Sequence, residues 1–76
     1  MYDPVEEAIE DFNRALERNP EIVWAYFNRG LAKVFLGKEE EAQVDFAKCL
    51  ELRPDLKDQV TEKIELARHL RRLGKQ

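Results

Sequence analysis

The chain has 76 residues, 38% of them charged and 43% hydrophobic, with a formal net charge of only −3. Dense charges of both signs exclude the strongly basic balance of a nucleic-acid binder, and so much apolar content excludes a disordered chain. One cysteine, Cys49, and one histidine, His69, rule out an intramolecular disulfide and give no zinc-ligand spacing.

A chain of this size buries only about 60% of the surface it exposes when unfolded. Regular helix packing or a partner must therefore supply what disulfides and metals do not. No apolar run approaches the roughly 20 residues of a membrane span, and the acidic start Met1-Tyr2-Asp3-Pro4 is unlike a signal peptide. The expectation is a soluble, cytoplasmic protein.

The first helix is predicted to open at Asp3-Pro4-Val5-Glu6. Asp3 can accept from free N–H groups of the first turn, Pro4 suits the first helical position, and Glu6 can complete a capping box. Val5, Ala8, Ile9, Phe12, Ala15 and Leu16 then recur as one apolar stripe, and Pro20 ends the helix by restraining Asn19. The second helix is expected from about Ile22 to Leu36, closing at Gly37. It is apolar nearly all round: Ile22, Ala25, Tyr26 and Leu36 lie on one side, and Trp24, Phe27, Leu31, Val34 and Phe35 towards another. A helix with two apolar faces needs two sets of neighbours.

The third helix, about Glu39 to Leu52, carries Ala42, Phe46, Cys49, Leu50 and Leu52 and stops at Pro54. Glu39-Glu40-Glu41 reads as its solvated start. Asp55 is expected to cap the fourth helix, where Leu56, Val60, Ile64, Ala67, Leu70 and Leu73 form a single stripe before Gly74, opposite a charged face. Compared with itself at an offset of 34 residues, the chain repeats. Glu6, Glu7, Ala8, Asp11, Phe12, Leu16, Glu17 and Pro20 return as Glu40, Glu41, Ala42, Asp45, Phe46, Leu50, Glu51 and Pro54, and Ala15 returns as Cys49. The second and fourth segments match far less well, so the fourth reads as an end piece.

A helix–turn–helix period of this length with these residues resembles the tetratricopeptide-repeat (TPR) family. Tyr26, Gly30, Ala32, Gly37, Ala42, Phe46 and Pro54 match the family's aromatic, glycine, alanine and proline positions, and Ala8, Phe12, Ala15 and Pro20 match the second half of a preceding unit. Arg29, Lys33, Glu39 and Cys49 depart from the pattern, which more often has leucine, two aromatics and alanine there. The resemblance implies an all-α fold of about four antiparallel helices stacked as a short right-handed superhelix. Within one domain it implies the second helix of a half repeat over 2–20, a complete repeat over 21–54 and a capping helix over 55–74. The small Gly30 and Ala42 would let the two helices of the hairpin approach closely, and Cys49 would seat the capping helix.

The same resemblance implies a scaffold that binds a protein or peptide and catalyses nothing. Its concave groove would be lined by Trp24, Phe27, Asn28, Leu31, Val34 and Phe35. The opposed reading is that another helix or a second copy covers that face, making the chain a structural homo-oligomerisation module. Asn28 matches an asparagine of carboxylate-clamp members, but Trp24, Phe27 and Leu31 stand where clamps need polar residues. Cys49, on an apolar stripe, reads as a buried space-filler, and His69 as a solvated surface residue. The run Arg68–Lys75 carries four cations and Asp3–Asp11 five acids. This is either ordinary helix-end chemistry or, functionally, attraction between copies or steering of an acidic partner. With no serine, one thiol and one histidine, no nucleophile–base pair is implied. No cofactor, metal, nucleic-acid or membrane partner is expected.

Overall fold

The computed structural model describes residues 3–74. Tyr2, where the first repeated arm begins, and Lys75, the last cation of the basic run, lie outside the described residues. Four α-helices follow one another: α1 Pro4–Arg18, α2 Val23–Phe35, α3 Glu39–Leu52 and α4 Lys57–Leu73, with a 3-10 turn at Pro54–Leu56. No strand occurs among the described residues.

The predicted boundaries have local causes. Asp3 is the N-cap of α1, its Oδ1 accepting from the backbone of Val5 at 2.9 Å and of Glu6 at 3.4 Å. Asn19, held extended before Pro20, ends the helix. After α2 the chain turns through Gly37 at φ 78°. The Gly37 N–H donates to the Val34 carbonyl (3.0 Å) and the Lys38 N–H to that of Lys33 (2.8 Å), a Schellman closure that needs a left-handed residue at this point. One expectation fails at α4. Asp55 does not cap it; Pro54 starts a 3-10 turn that places Leu56 at the N-cap, and Asp55 instead accepts both guanidinium bonds of Arg53, at 2.9 and 2.8 Å.

Helix α2 is the centre of the fold and packs against α1, α3 and α4, as its two apolar faces require. Phe27, Val34, Ala42, Phe46, Cys49, Leu56, Val60 and Ala67 form one buried cluster drawn from α2, α3, the 3-10 turn and α4. Gly30 faces the Phe46 ring: a Cβ at Gly30 would lie 2.7 Å from the ring's Cε1, so glycine is what lets the ring seat on α2. The Cα envelope of 37 × 30 × 16 Å is a thin slab, consistent with a core one side-chain layer deep between helices about 10 Å across.

Helix α4 is held by apolar packing at its start and by charge further on. Leu56, Val60 and Ala67 are buried and Ile64 packs beside them, but Leu70 and Leu73 are exposed. The predicted single stripe therefore leaves the core in the last turns. There Arg68 donates to Glu39 Oε1 from Nε (2.9 Å) and Nη2 (2.6 Å), and Arg71 donates to Glu39 Oε2 (3.2 Å) and to the Val34 carbonyl (2.8 Å). Glu39 is thus ion-paired at the edge of the solvated face, still a third exposed, and two cations of the basic run are committed to contacts within the molecule. The Arg68 hydrogen bond, followed by the pull of Arg68 and Arg71, holds the Glu39 carboxyl below its ordinary range against a partial desolvation.

Candidate functional site

The six residues read from sequence as groove-lining divide between two faces of α2. Trp24, Asn28 and Phe35 are exposed and Leu31 is half-buried. Their spacing of four, three and four residues puts them on a single stripe, about 16 Å long at 1.5 Å per residue. Phe27 and Val34 instead turn into the core, where the structure covers them almost completely. The reason is rotation: at 3.6 residues per turn each sits roughly 80° around the helix from the exposed stripe, on the flank that meets α3 and α4. Phe27 still supports the surface, because the Trp24 ring tilts against it with centroids 5.2 Å apart. Trp24 keeps 48% of its surface in water.

At the far end of the stripe, Phe35 enters an open trough of about 390 Å³ lined also by Val5, Leu36 and Leu70. Helices α1, α2 and α4 thus all contribute to it, with Arg71 at the rim. The stripe and trough together make a surface with apolar anchors, one amide (Asn28) for hydrogen bonding and few charges. Chemically it can hold an apolar side chain of another segment.

Among the other predicted positions, Tyr26 donates its hydroxyl to the Pro20 carbonyl at 2.8 Å, tying α2 to the preceding turn. Ala32 and Ala42 are buried, while Ala8, Phe12 and Ala15 are half-buried and Pro20 and Pro54 exposed at the turns. Cys49 is fully buried, and burial pushes its thiol pKa up, against a smaller downward pull from Arg53. A thiol in that state is a poor nucleophile. His69 is exposed. Among the described residues no group of His, Cys, Asp and Glu is placed to hold a metal ion, and no helix is long and apolar enough to cross a membrane.

Sequence reading missed the most buried charge in the molecule. Asp45, 2% exposed, accepts Arg29 Nη2 on Oδ1 at 2.6 Å and Arg29 Nε on Oδ2 at 3.0 Å, and Lys33 Nζ lies 3.1 Å from Oδ2. Arg29 also donates to Asn13 of α1 at 2.8 Å and lies over the Tyr26 ring, 5.7 Å from its centroid. Its pKa is raised chiefly by the Asp45 hydrogen bond, burial opposing. The signal was available: Arg29 and Lys33, one turn apart on α2, are two of the departures from the family pattern, and Asp45 interrupts an apolar face of α3. The three replace apolar contacts with one ion cluster at the α1–α2–α3 junction.

Against known proteins, the tetratricopeptide-repeat family model matches residues 5–22 and 25–56, more than half of the chain. The UDP-N-acetylglucosamine--peptide N-acetylglucosaminyltransferase of Giardia intestinalis is 42% identical over 48 residues, which is 63% of this chain and 3% of that protein. The mitochondrial import receptor subunit TOM70 of Homo sapiens is 41% identical over 46 residues, 60% of this chain and 8% of the receptor. An uncharacterized protein of Methanocaldococcus jannaschii is 48% identical over 46 residues, 60% of this chain and 54% of its own length. The chain therefore spans a small part of the first two and about half of the third. No solved structure matches significantly.

Proposed function

Since the chain belongs to the tetratricopeptide-repeat family, we propose that it is a non-catalytic interaction module that docks a protein or peptide segment on the Trp24–Asn28–Leu31–Phe35 stripe. Residues 21–54 act in this reading as the complete repeat, 2–20 as a half repeat and 55–74 as the cap that solvates the end of the stack. The observation that carries it is the exposed aromatic pair, Trp24 and Phe35, at the two ends of one helix face. Aromatic side chains of this kind dominate binding energy where a partner desolvates them, and the trough beside Phe35 and Leu70 offers a place for an anchor residue. That a relative is named as an import receptor subunit supports a partner-binding use of the same repeats.

The partner is a segment with apolar side chains spaced to meet both ends of the stripe. A displayed peptide library selected on the chain, with Trp24 fluorescence following each purified hit, tests this. Hits should bind with a Trp24 spectral change and lose about tenfold or more in affinity on Phe35→Ala. Hits that bind a Trp24→Ala, Phe35→Ala double variant as well as the parent would defeat the reading. A second copy is the competing occupant: a dimer in sedimentation that dissociates on Trp24→Ala would make this face a self-association surface.

A further inference from the structure

Helix α4 carries a second apolar row. Leu66, Leu70 and Leu73, spaced four and three residues apart, share one face, and all three are exposed. That face lies about 110° round the helix from the side on which Leu56, Val60, Ile64 and Ala67 pack. Arg68, which reaches Glu39 of α3, stands on the opposite flank. The leucines therefore turn away from α3, and Leu70 meets Phe35 of α2 in the trough. Two apolar rows, Trp24–Leu31–Phe35 on α2 and Leu66–Leu70–Leu73 on α4, thus join there. Beyond the leucines, about 80° further round α4, come Asp58, Glu62 and Glu65, again four and three residues apart. All three are exposed, and none has an ion partner among the described residues. Of the other titratable groups on this part of α4, Lys63 stands on the inner side of the leucines, His69 closes the acidic row, and Arg72 lies past the acids.

We propose that the occupant of this two-helix surface is an amphipathic helix with a basic edge. Its apolar face lies across both rows, and its lysines or arginines meet the acids of α4. The proposal rests on the reading of the α2 stripe as a docking surface and adds the shape and the charge of the partner. Neighbouring helices hold their axes about 8–10 Å apart, so the two rows bound a furrow that a third helix, about 10–12 Å across, fills. Unpaired carboxylates along its edge attract cations and repel an acidic partner. The sign is opposite to the steering of an acidic partner that the run Arg68–Lys75 suggests in sequence. The fold ties Arg68 and Arg71 to Glu39 and leaves the acids in water.

The probe is a fluorescein-labelled peptide of about 18 residues, or five helical turns, with leucines on one face and lysines along one edge of it. It is titrated into the full chain and read by anisotropy. A second peptide keeps the leucines and replaces every lysine by glutamate. The lysine peptide should bind at about 10 μM, and the glutamate peptide at least about tenfold more weakly. In a Glu62→Lys, Glu65→Lys chain the preference should invert. In a Glu10→Lys, Glu17→Lys chain, which has the same net charge, it should persist. All four acids are exposed, so both variants keep the fold, which unchanged far-UV spectra verify. Leu70→Ala should weaken both peptides. Equal affinity for the two peptides, no inversion in the Glu62→Lys, Glu65→Lys chain, an equal inversion in the Glu10→Lys, Glu17→Lys chain, or undiminished binding by Leu70→Ala overturns the proposal and leaves the α2 stripe standing. Failure of both peptides to saturate by about 1 mM overturns the stripe as well.

Discussion

Replacing Gly30 by alanine sets two effects of opposite sign against each other. In a helix interior alanine is favoured over glycine by about 0.8–1.0 kcal/mol. Against this, the new Cβ would lie 2.7, 2.9 and 3.0 Å from three atoms of the Phe46 ring. That ring is 3% exposed, so it cannot swing into solvent, and overpacking of this kind costs about 1–3 kcal/mol. Taking the middle of that range, Gly30→Ala should destabilise the chain by about 1 kcal/mol net, which lowers the melting temperature by roughly 4–8 °C for a domain this small. Urea unfolding followed by far-UV circular dichroism measures it. The reasoning makes a sharper demand in the Phe46→Leu background: there the clash is gone, and the same alanine should be neutral or stabilising by up to about 1 kcal/mol. If Gly30→Ala alone stabilises the protein by its full helix propensity, the ring contact does not constrain α2 and the argument is wrong.

Asp45→Ala strips Arg29 and Lys33 of their shared carboxylate. Both cations keep some access to water, with side chains 19% and 16% exposed, so the loss should fall at roughly 2–3 kcal/mol, below the full penalty for breaking a buried pair; a change under about 0.5 kcal/mol in urea unfolding contradicts it. Gly37→Ala should cost about 1–2 kcal/mol through backbone strain alone, since φ is 78° and the nearest atom to a new Cβ, Arg71 Nη1, is 4.0 Å away; Gly37→Asn, which tolerates that conformation better, should be milder. Acid should loosen α4. Glu39 has its pKa depressed below the ordinary 4.5, first by the Arg68 hydrogen bond, so over that window the unfolded chain binds the proton more readily than the folded one. The stabilisation is complete above about pH 4.5 and is lost as pH falls through the folded value. A Glu39→Gln chain should show a shallower fall of urea midpoint with acid than the parent, and identical slopes would refute the clamp.

Much of the fold is written locally. Asp3, Pro4 and Pro20 bracket α1, Gly37 closes α2, and Pro54 stops α3, because each of these residues acts on the dihedrals and hydrogen bonds of its immediate neighbours. The repeat between α1 and α3 is equally visible, as identities at a fixed offset. The site is less legible. Trp24, Phe27, Leu31, Val34 and Phe35 look alike in a one-dimensional pattern, yet Phe27 and Val34 are core while Trp24 and Phe35 meet water. Which flank of a helix with two apolar faces is covered depends on where α3 and α4 come to rest.

The same division explains the charges. Asp11 and Asp45 are one residue type at one repeat position, and the sequence by itself settles that each sits on a helix beside a phenylalanine. Only the tertiary structure decides that Asp45 is buried under Arg29 and Lys33 while Asp11 stays in solvent. It likewise decides that Arg68 and Arg71 leave the basic run to grip Glu39 and the end of α2. Caps and turns are short-range and survive any arrangement of the helices. Burial and ion pairing are properties of which helices become neighbours, and for a chain whose central helix is apolar on both sides, that is settled by packing.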